Sequence, residues 1–183
     1  MKSLIRKTTR VILNSFLGLL LFVSEPITLG NSEFLGTKET KQFEQSFQCL
    51  QDNAWFEARQ ESKNSFKEMQ LVSEVVLNRV HSGKHPRDIC QVIYQKYQFS
   101  WTLDRLHKDK LRKALRKPKE ALKYKQAGVV AYKVLTQPRA SKELSDEVLF
   151  YCTHRVNPKW ISKVRPVKLK FLSFHRFYKP EGL

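Results

Sequence analysis

The sequence predicts an α+β protein that is mainly helical and ends in a small antiparallel β-sheet. Apolar residues recur at helical spacing in several segments between residues 43 and 136. The segments 148–152 and 168–178 are rich in β-branched and aromatic residues, as strands are. The length of 183 residues, 41% of them hydrophobic, suits a single packed domain and argues against a wholly disordered chain.

Residues 1–30 have the pattern of an export leader. The first ten residues contain four Lys and Arg, and a mostly apolar stretch of 13 residues follows, from Val11 to Val23. This stretch is shorter than the roughly 20 residues of a membrane-spanning helix but long enough for a signal peptide. We expect a signal peptide or an N-terminal anchor, with a buried core helix as the alternative. Export would place the chain in an oxidising compartment.

A polar linker at residues 31–42 precedes the predicted domain, which spans residues 43–180. In its first helix the apolar residues fall on one face, namely Phe47, Leu50, Ala54 and Ala58. The second helix begins at a capping box formed by Ser65 and Glu68 and ends near Gly83.

Two further helices and two strands complete the predicted domain. Asp88 is expected to cap a short third helix over residues 89–95, and Pro118 to open a fourth that ends near Thr136. The strands are expected in the segments 148–152 and 168–178. Alternate residues of the second strand share one face, namely Leu169, Phe171, Ser173, His175 and Phe177. Pro158 and Pro166 interrupt the chain between these two segments.

The three cysteines, Cys49, Cys90 and Cys152, allow at most one intramolecular disulfide. We expect a bond between Cys49 and Cys90, which lie near the starts of segments that should pack together. Ordinary buried cysteines are the alternative. The spacings do not suggest a zinc site, and we predict no metal and no other cofactor.

The charge is large and uneven. The chain has a formal net charge of +17, and residues 101–183 carry 21 basic and 7 acidic side chains, against 13 and 10 in residues 1–100. The excess centres on the run from Arg105 to Lys125. Such a run is either a solvated helix face or a surface that binds a polyanion, such as nucleic acid, an anionic membrane or an acidic wall polymer.

One short segment suggests acid–base chemistry. Trp55 and Phe56 immediately precede Glu57. Aromatic neighbours can desolvate a carboxyl group and favour its neutral form, which is how a glutamic acid serves as a general acid near neutral pH. Taken alone, the segment is a weak signal, because a Glu on the flank of a helix is most often a surface charge or an ion-pair partner at i,i+4. Phosphate-binding loops, HExxH and Gly-x-Ser-x-Gly motifs are absent from the sequence.

A series of motifs along the chain gives this segment a more specific interpretation. Glu57-Ala58-Arg59 is followed by Leu77-Asn78-Arg79-Val80 and by Gln98-Phe99-Ser100-Trp101, and later by Tyr151-x-x-His154 and His175-x-Phe177-Tyr178. In this order and spacing the chain resembles the SleB-type cell-wall hydrolase family, which includes spore-cortex-lytic enzymes and phage endolysins. The resemblance runs from about Cys49 to Tyr178. Two positions depart from it: Gln60 stands where the family has Gly, and Leu172-Ser173 stands where it has Ile-Gly.

The resemblance implies a lysozyme-like fold and cleavage of the β-1,4 bond between N-acetylmuramic acid and N-acetylglucosamine in peptidoglycan. Spore-lytic relatives act as lytic transglycosylases, which need one carboxyl group as acid and then base. By match to the family motif Glu57 is the expected catalytic acid/base, and Glu61 is the other candidate. A muramidase that uses water at the same bond is the alternative reaction.

The matching motifs also suggest residues of a substrate cleft. These are Gln98, Ser100, Trp101, Tyr151, His154, His175 and Tyr178. For Trp101 and Tyr178 core packing is the alternative, and for the two histidines a structural role. Asn78 and Arg79 are expected to support the site structurally.

The expected partner is peptidoglycan, met in the periplasm, the cell wall or the extracellular space by a monomer. Membrane contact is expected only through residues 1–30, if they are retained. Nucleic acid is not expected. A non-enzymatic polyanion-binding protein is nevertheless the alternative class, since the charge of +17 and aromatic residues such as Tyr124 and Tyr132 within the basic half would suit it.

Overall fold

The computed structural model of the protein describes residues 38–59, 63–137, 139–171 and 173–182. The predicted leader, part of the linker, and Gln60 and Glu61 lie outside these residues. The helices of the described part are α1 Lys38–Ala58, α2 Ser65–His81, α3 Ile89–Tyr94, α4 His107–Ala114 and α5 Pro118–Thr136. Its strands are β1 Phe150–Thr153, β2 Val164–Val167 and β3 His175–Pro180, and two 3-10 helices cover Ser100–Leu103 and Lys159–Lys163. The predicted class, mainly helical α+β with a small antiparallel sheet, is confirmed.

The central element is α1, which packs against α2, α3 and α5. It buries Leu50, Ala54 and Trp55 in the core. The helix begins at Lys38, so residues 38–42 of the predicted linker are helical instead. No Gly or Pro stops the helix in this stretch, and Glu39 favours its first turn.

The predicted start of α2 is wrong in its detail. The helix begins at Ser65 after Asn64, and neither side chain of the predicted capping box caps it. The carboxylate of Glu68 accepts hydrogen bonds from the Phe174 amide and from His175 instead, at 2.5 and 3.0 Å. The predicted stop is confirmed, because Gly83 follows the helix with φ at +70°.

The third and fourth predicted helices are confirmed as α3 and α5. Asp88 accepts a hydrogen bond from the Gln91 amide at 2.9 Å and so caps α3. Pro118 is the first residue of α5. A disulfide between Cys49 and Cys90 joins α1 to α3, with the two Cα atoms 5.5 Å apart. Cys152 is a buried free thiol.

The three strands form one antiparallel sheet in the order β1-β3-β2. The sequence does not predict β2, because Pro166 indicates a break in this segment. As an edge strand, β2 tolerates a proline that cannot donate to a ladder. The last predicted strand is too long: β3 starts only at His175, because the Phe174 amide just before it bonds to Glu68 of α2 and not to a neighbouring strand.

Candidate active site

Glu57 lies in the last turn of α1 and faces the sheet. Its side chain is partly buried, and its Oε2 accepts a hydrogen bond from the hydroxyl of Tyr151 at 3.1 Å. Tyr151 lies in β1, so the contact joins the C-terminal end of the central helix to the sheet. Glu57 and Tyr151, which belong to widely separated sequence motifs, are therefore in direct contact.

The surroundings of Glu57 favour its protonated form. Burial raises the pKa of the Glu57 carboxyl above its usual value, and the nearby His175, the Tyr151 hydroxyl and Arg79 offset only part of this effect. A carboxyl group with a raised pKa keeps its proton nearer neutral pH, so it can donate that proton to a leaving group.

Tyr151 remains a hydrogen-bond donor in this environment. Burial raises the pKa of its phenol well above the usual value, and the neighbouring Glu57 raises it further. Its ring contacts the rings of His175, Phe177 and Phe99, with centroids 5.1, 5.8 and 6.4 Å apart. These contacts fix the ring and hence the direction of the hydroxyl toward Glu57.

Asn78 and Arg79 hold the segment that leads into β1. The Asn78 amide donates to the carbonyls of Ser145 and Val148 at 2.9 and 3.0 Å. Arg79 is buried, and its Nε donates to the carbonyl of Leu149 at 2.8 Å. The two side chains therefore hold the backbone that leads into the strand of Tyr151.

Behind Tyr151 lies a buried acid–histidine pair. His175 Nδ1 and Glu68 Oε2 are 3.0 Å apart, and each side chain is 2% exposed. Burial alone would raise the pKa of Glu68, but hydrogen bonds from His175, Ser173 and the Phe174 amide outweigh it and lower the pKa. Glu68 is therefore a carboxylate that the interior already satisfies, and it has no access to a substrate.

Trp101 contacts the turn of α1 that precedes Glu57. Its indole Nε1 donates to Asn53 Oδ1 at 3.1 Å, and its ring stacks on Phe56 with centroids 4.5 Å apart. Trp101 is only 8% exposed, whereas Gln98 and Ser100 are exposed beside the buried Phe99. The structure thus gives Trp101 a packing contact, and sugar binding by these three residues stays a prediction.

The remaining predicted cleft residues lie along the sheet. A cavity of about 210 Å³ is lined in part by His154, His175 and Tyr178. His154 is exposed, with Nε2 3.2 Å from the carbonyl of Ser173, while His175 and Tyr178 are buried. Among the described residues, the structure therefore brings Glu57, Tyr151, Arg79 and His175 into one cluster.

Two residues that contact this cluster are not among the predicted site residues: Glu68, which bonds to His175, and Asn53, which bonds to Tyr151. Asn53 precedes Glu57 by four residues and so shares its helix face, a signal that the sequence does carry. For Glu68, the spacing from Ser65 alone predicts a helix cap instead. Glu61, the second candidate acid, lies outside the described residues.

Comparison with known proteins bears on the class of this protein. A family described as Cell Wall Hydrolase matches residues 63–178. This match covers more than half of the chain, from α2 into β3, so the chain belongs to the cell wall hydrolase family. Membership indicates a hydrolase that acts on the cell wall, outside the cytoplasm, with peptidoglycan as substrate. No curated protein and no solved structure matched the chain.

The family match does not address the role of Glu57 or the presence of a membrane-spanning helix. Glu57 precedes the matched residues, so its part in catalysis is argued from its surroundings. As for membranes, no helix in the described part of the chain has the length and apolar character needed to cross one.

Proposed function

We propose that the protein cleaves the β-1,4 bond between N-acetylmuramic acid and N-acetylglucosamine as a lytic transglycosylase, with Glu57 as its single acid/base. The observation that carries this proposal is the Glu57 carboxyl itself, partly buried, with a raised pKa and a hydrogen bond from Tyr151. Such a group combines access from solvent with a proton to give.

The proposed reaction has two proton transfers. Protonated Glu57 gives its proton to the glycosidic oxygen as the bond to the muramic acid C1 breaks. The resulting carboxylate then takes the proton of the muramic acid 6-hydroxyl, whose oxygen bonds to C1 and closes an anhydro ring. Tyr151 and Arg79 stabilise the carboxylate between the two steps, since both favour the charged form of Glu57.

The described carboxylates near α1 support a route with one acid. Glu68 is buried against His175, and Asp52 accepts a hydrogen bond from Tyr124 of α5 at 2.6 Å, on a different flank of α1. A two-carboxylate hydrolase needs a second free carboxylate about 5–9 Å from the first. Neither Glu68 nor Asp52 is free in this sense, so the part of the chain that the structure describes is compatible with a single acid, and the Glu61→Gln variant tests the carboxylate that lies outside it.

The test is digestion of purified peptidoglycan by the wild type and by the Glu57→Gln and Glu61→Gln variants. We expect Glu57→Gln to lose at least about a hundredfold in rate, and the wild type to release anhydromuramic ends. Reducing muramic ends would identify a muramidase instead. An active Glu57→Gln enzyme beside an inactive Glu61→Gln enzyme would move the acid/base to Glu61.

We further infer that residues 1–30 direct export and that residues 43–180 are the catalytic domain. The Cys49–Cys90 disulfide supports export, because disulfides form and persist in oxidising compartments. The mass of the protein recovered outside the cell would show whether the leader is removed.

A further inference from the structure

One segment of the molecule carries a dense group of cations, most of which form no ion pair within the part of the chain that the structure describes. Residues 105–125 contain ten Lys and Arg against two acidic residues, Asp109 and Glu120, and they form α4, the turn after it and the first half of α5. Six of the ten cations are exposed and form no ion pair with any residue that the structure describes. These six make up what we call the cationic face: Arg105, Lys108, Lys113, Arg116, Lys117 and Lys125.

The ion pairs of this segment do not neutralise the positive charge of the cationic face. Asp104 and Asp109 pair with Lys110 and Arg112, at 2.5 and 2.9 Å, and so neutralise cations outside the six. A solvated helix surface normally mixes both signs of charge. Like charges within a Debye length of about 8–10 Å repel one another, so a cluster of six lowers stability unless an anion lies nearby.

The packing of α4 places its two cations of the face, Lys108 and Lys113, on the outer side of the helix. Leu111 and Ala114 are the two apolar residues of α4, and both pack against the core. No residue of α4 is fully buried, so the helix contributes little to the core itself. The exposed residues of α4 are all charged, whereas the exposed apolar residues of the segment, Leu106 and Leu122, lie outside this helix. A helix with a wholly charged outer side suits a polyanion better than the acyl region of a bilayer, where an interfacial helix inserts apolar side chains.

The cationic face and Glu57 lie on different flanks of α1. Glu57 contacts Tyr151 of β1, whereas Asp52 contacts Tyr124 of α5, the helix that carries part of the face. The charge of Lys108 also acts on Asp52. A polymer bound at the face would therefore leave the acid/base open to a glycan strand.

We propose that the cationic face docks the enzyme on the carboxylate-bearing peptide stems of peptidoglycan. The proposal rests on the proposed function for its choice of polymer, and it concerns binding only. The face acts as a second contact with the same immobile substrate, and it raises the local concentration of glycan at Glu57 without taking part in the reaction.

The test compares two variants with equal net charge. The face variant carries Lys108→Gln, Lys113→Gln, Arg116→Gln and Lys117→Gln. The control variant carries four substitutions at dispersed, exposed lysines, namely Lys84→Gln, Lys142→Gln, Lys159→Gln and Lys163→Gln. All proteins also carry Glu57→Gln, so that binding to purified peptidoglycan is measured without cleavage. Sedimentation at increasing salt is repeated with peptidoglycan whose free carboxylates have been amidated.

We expect the face variant to bind untreated peptidoglycan at least about tenfold more weakly at low salt, with a smaller dependence on salt. The control should bind as the parent protein does, and amidated peptidoglycan should bind the parent as weakly as untreated peptidoglycan binds the face variant. Equal binding by the two variants, or unchanged binding to amidated peptidoglycan, would overturn the proposal.

Two further measurements distinguish this proposal from membrane binding and from the proposed function. If anionic phospholipid vesicles bind the parent more tightly than peptidoglycan does and the face variant loses only vesicle binding, the face is a membrane surface and the proposal fails. Digestion of small soluble glycan fragments, with Glu57 intact, reports the proposed function alone. We expect the face variant to digest fragments like the wild type, and inactivity of the wild type itself would refute the proposed function while leaving the binding result to stand.

Discussion

The hydroxyl of Tyr151 influences how readily Glu57 gives up its proton. Because it donates a hydrogen bond to the carboxylate, it lowers the pKa that burial raises. We expect Tyr151→Phe to raise the pKa of Glu57, so that the protonated, active form persists to higher pH. The alkaline limb of the profile of kcat/KM against pH should then move to higher pH, while kcat/KM at the optimum falls by roughly two- to tenfold.

A matched control separates this electrostatic effect from loss of a buried hydroxyl. Tyr124→Phe removes a hydroxyl that donates to Asp52, on the other flank of α1, and should leave the alkaline limb in place. If the limb of Tyr151→Phe stays in place or moves to lower pH, Tyr151 does not act on the ionisation of Glu57.

The sequence predicted the properties of a residue where its immediate neighbours in the chain determine them. The two aromatics before Glu57 suggested a raised pKa, and the structure gives that direction through burial. The contact with Tyr151 spans 94 positions, and no local pattern encodes it without the family resemblance. Glu68 was misread because its spacing from Ser65 fits a cap, whereas a buried histidine from the far end of the chain satisfies it.

Between elements, the contact of Glu68 with His175 ties the start of α2 to β3. Both side chains are 2% exposed, so the loss of one leaves the other buried without its partner. We expect Glu68→Ala to lower the free energy of unfolding by about 3–5 kcal/mol at neutral pH. Glu147→Ala breaks an exposed pair with Lys179 and should cost at most about 1 kcal/mol. Denaturation in urea measures both.

The pH dependence of this contribution has a definite sign. The pKa of Glu68 is lowered by folding, so the pair stabilises the protein above the unfolded pKa of a glutamate, about 4.3, and this stabilisation is lost as the pH falls through the folded pKa. The difference between the wild type and Glu68→Ala should therefore shrink on acidification. Similar losses in Glu68→Ala and Glu147→Ala at neutral pH would contradict the assigned role.

The elements themselves were predictable where a pattern and its end signals agree. Pro118 opens α5 and Asp88 caps α3, as their positions predicted. By contrast, α4 has too few apolar residues to show a periodicity, and it was seen only as a basic run. The edge strand β2 contains a proline, which the sequence rule excludes from central strands but not from an edge.

For the whole molecule, charge and covalent structure point to the same surroundings. The net charge of +17 alone fitted nucleic acid, membranes and wall polymers equally. The match to cell wall hydrolases selects the wall, and the position of the cationic face on α4 and α5, away from Glu57, is compatible with binding and cleavage of one polymer. Composition shows how much charge there is, whereas the fold determines where it is exposed.

The Cys49–Cys90 disulfide is the feature of the fold that depends most directly on a location outside the cytoplasm. It joins Cys49 and Cys90 across 41 positions and fastens α3 to the central helix. Closing a loop of this length should stabilise the folded protein by roughly 3–4 kcal/mol. We expect dithiothreitol to lower the urea midpoint of the wild type to that of the Cys49→Ser, Cys90→Ser double variant, and to leave the double variant unchanged.

Under denaturing conditions without reductant, the exported wild type should show one reactive thiol, that of Cys152. Three reactive thiols in the exported protein would mean that the bond does not form there, and would remove its support for export into an oxidising compartment.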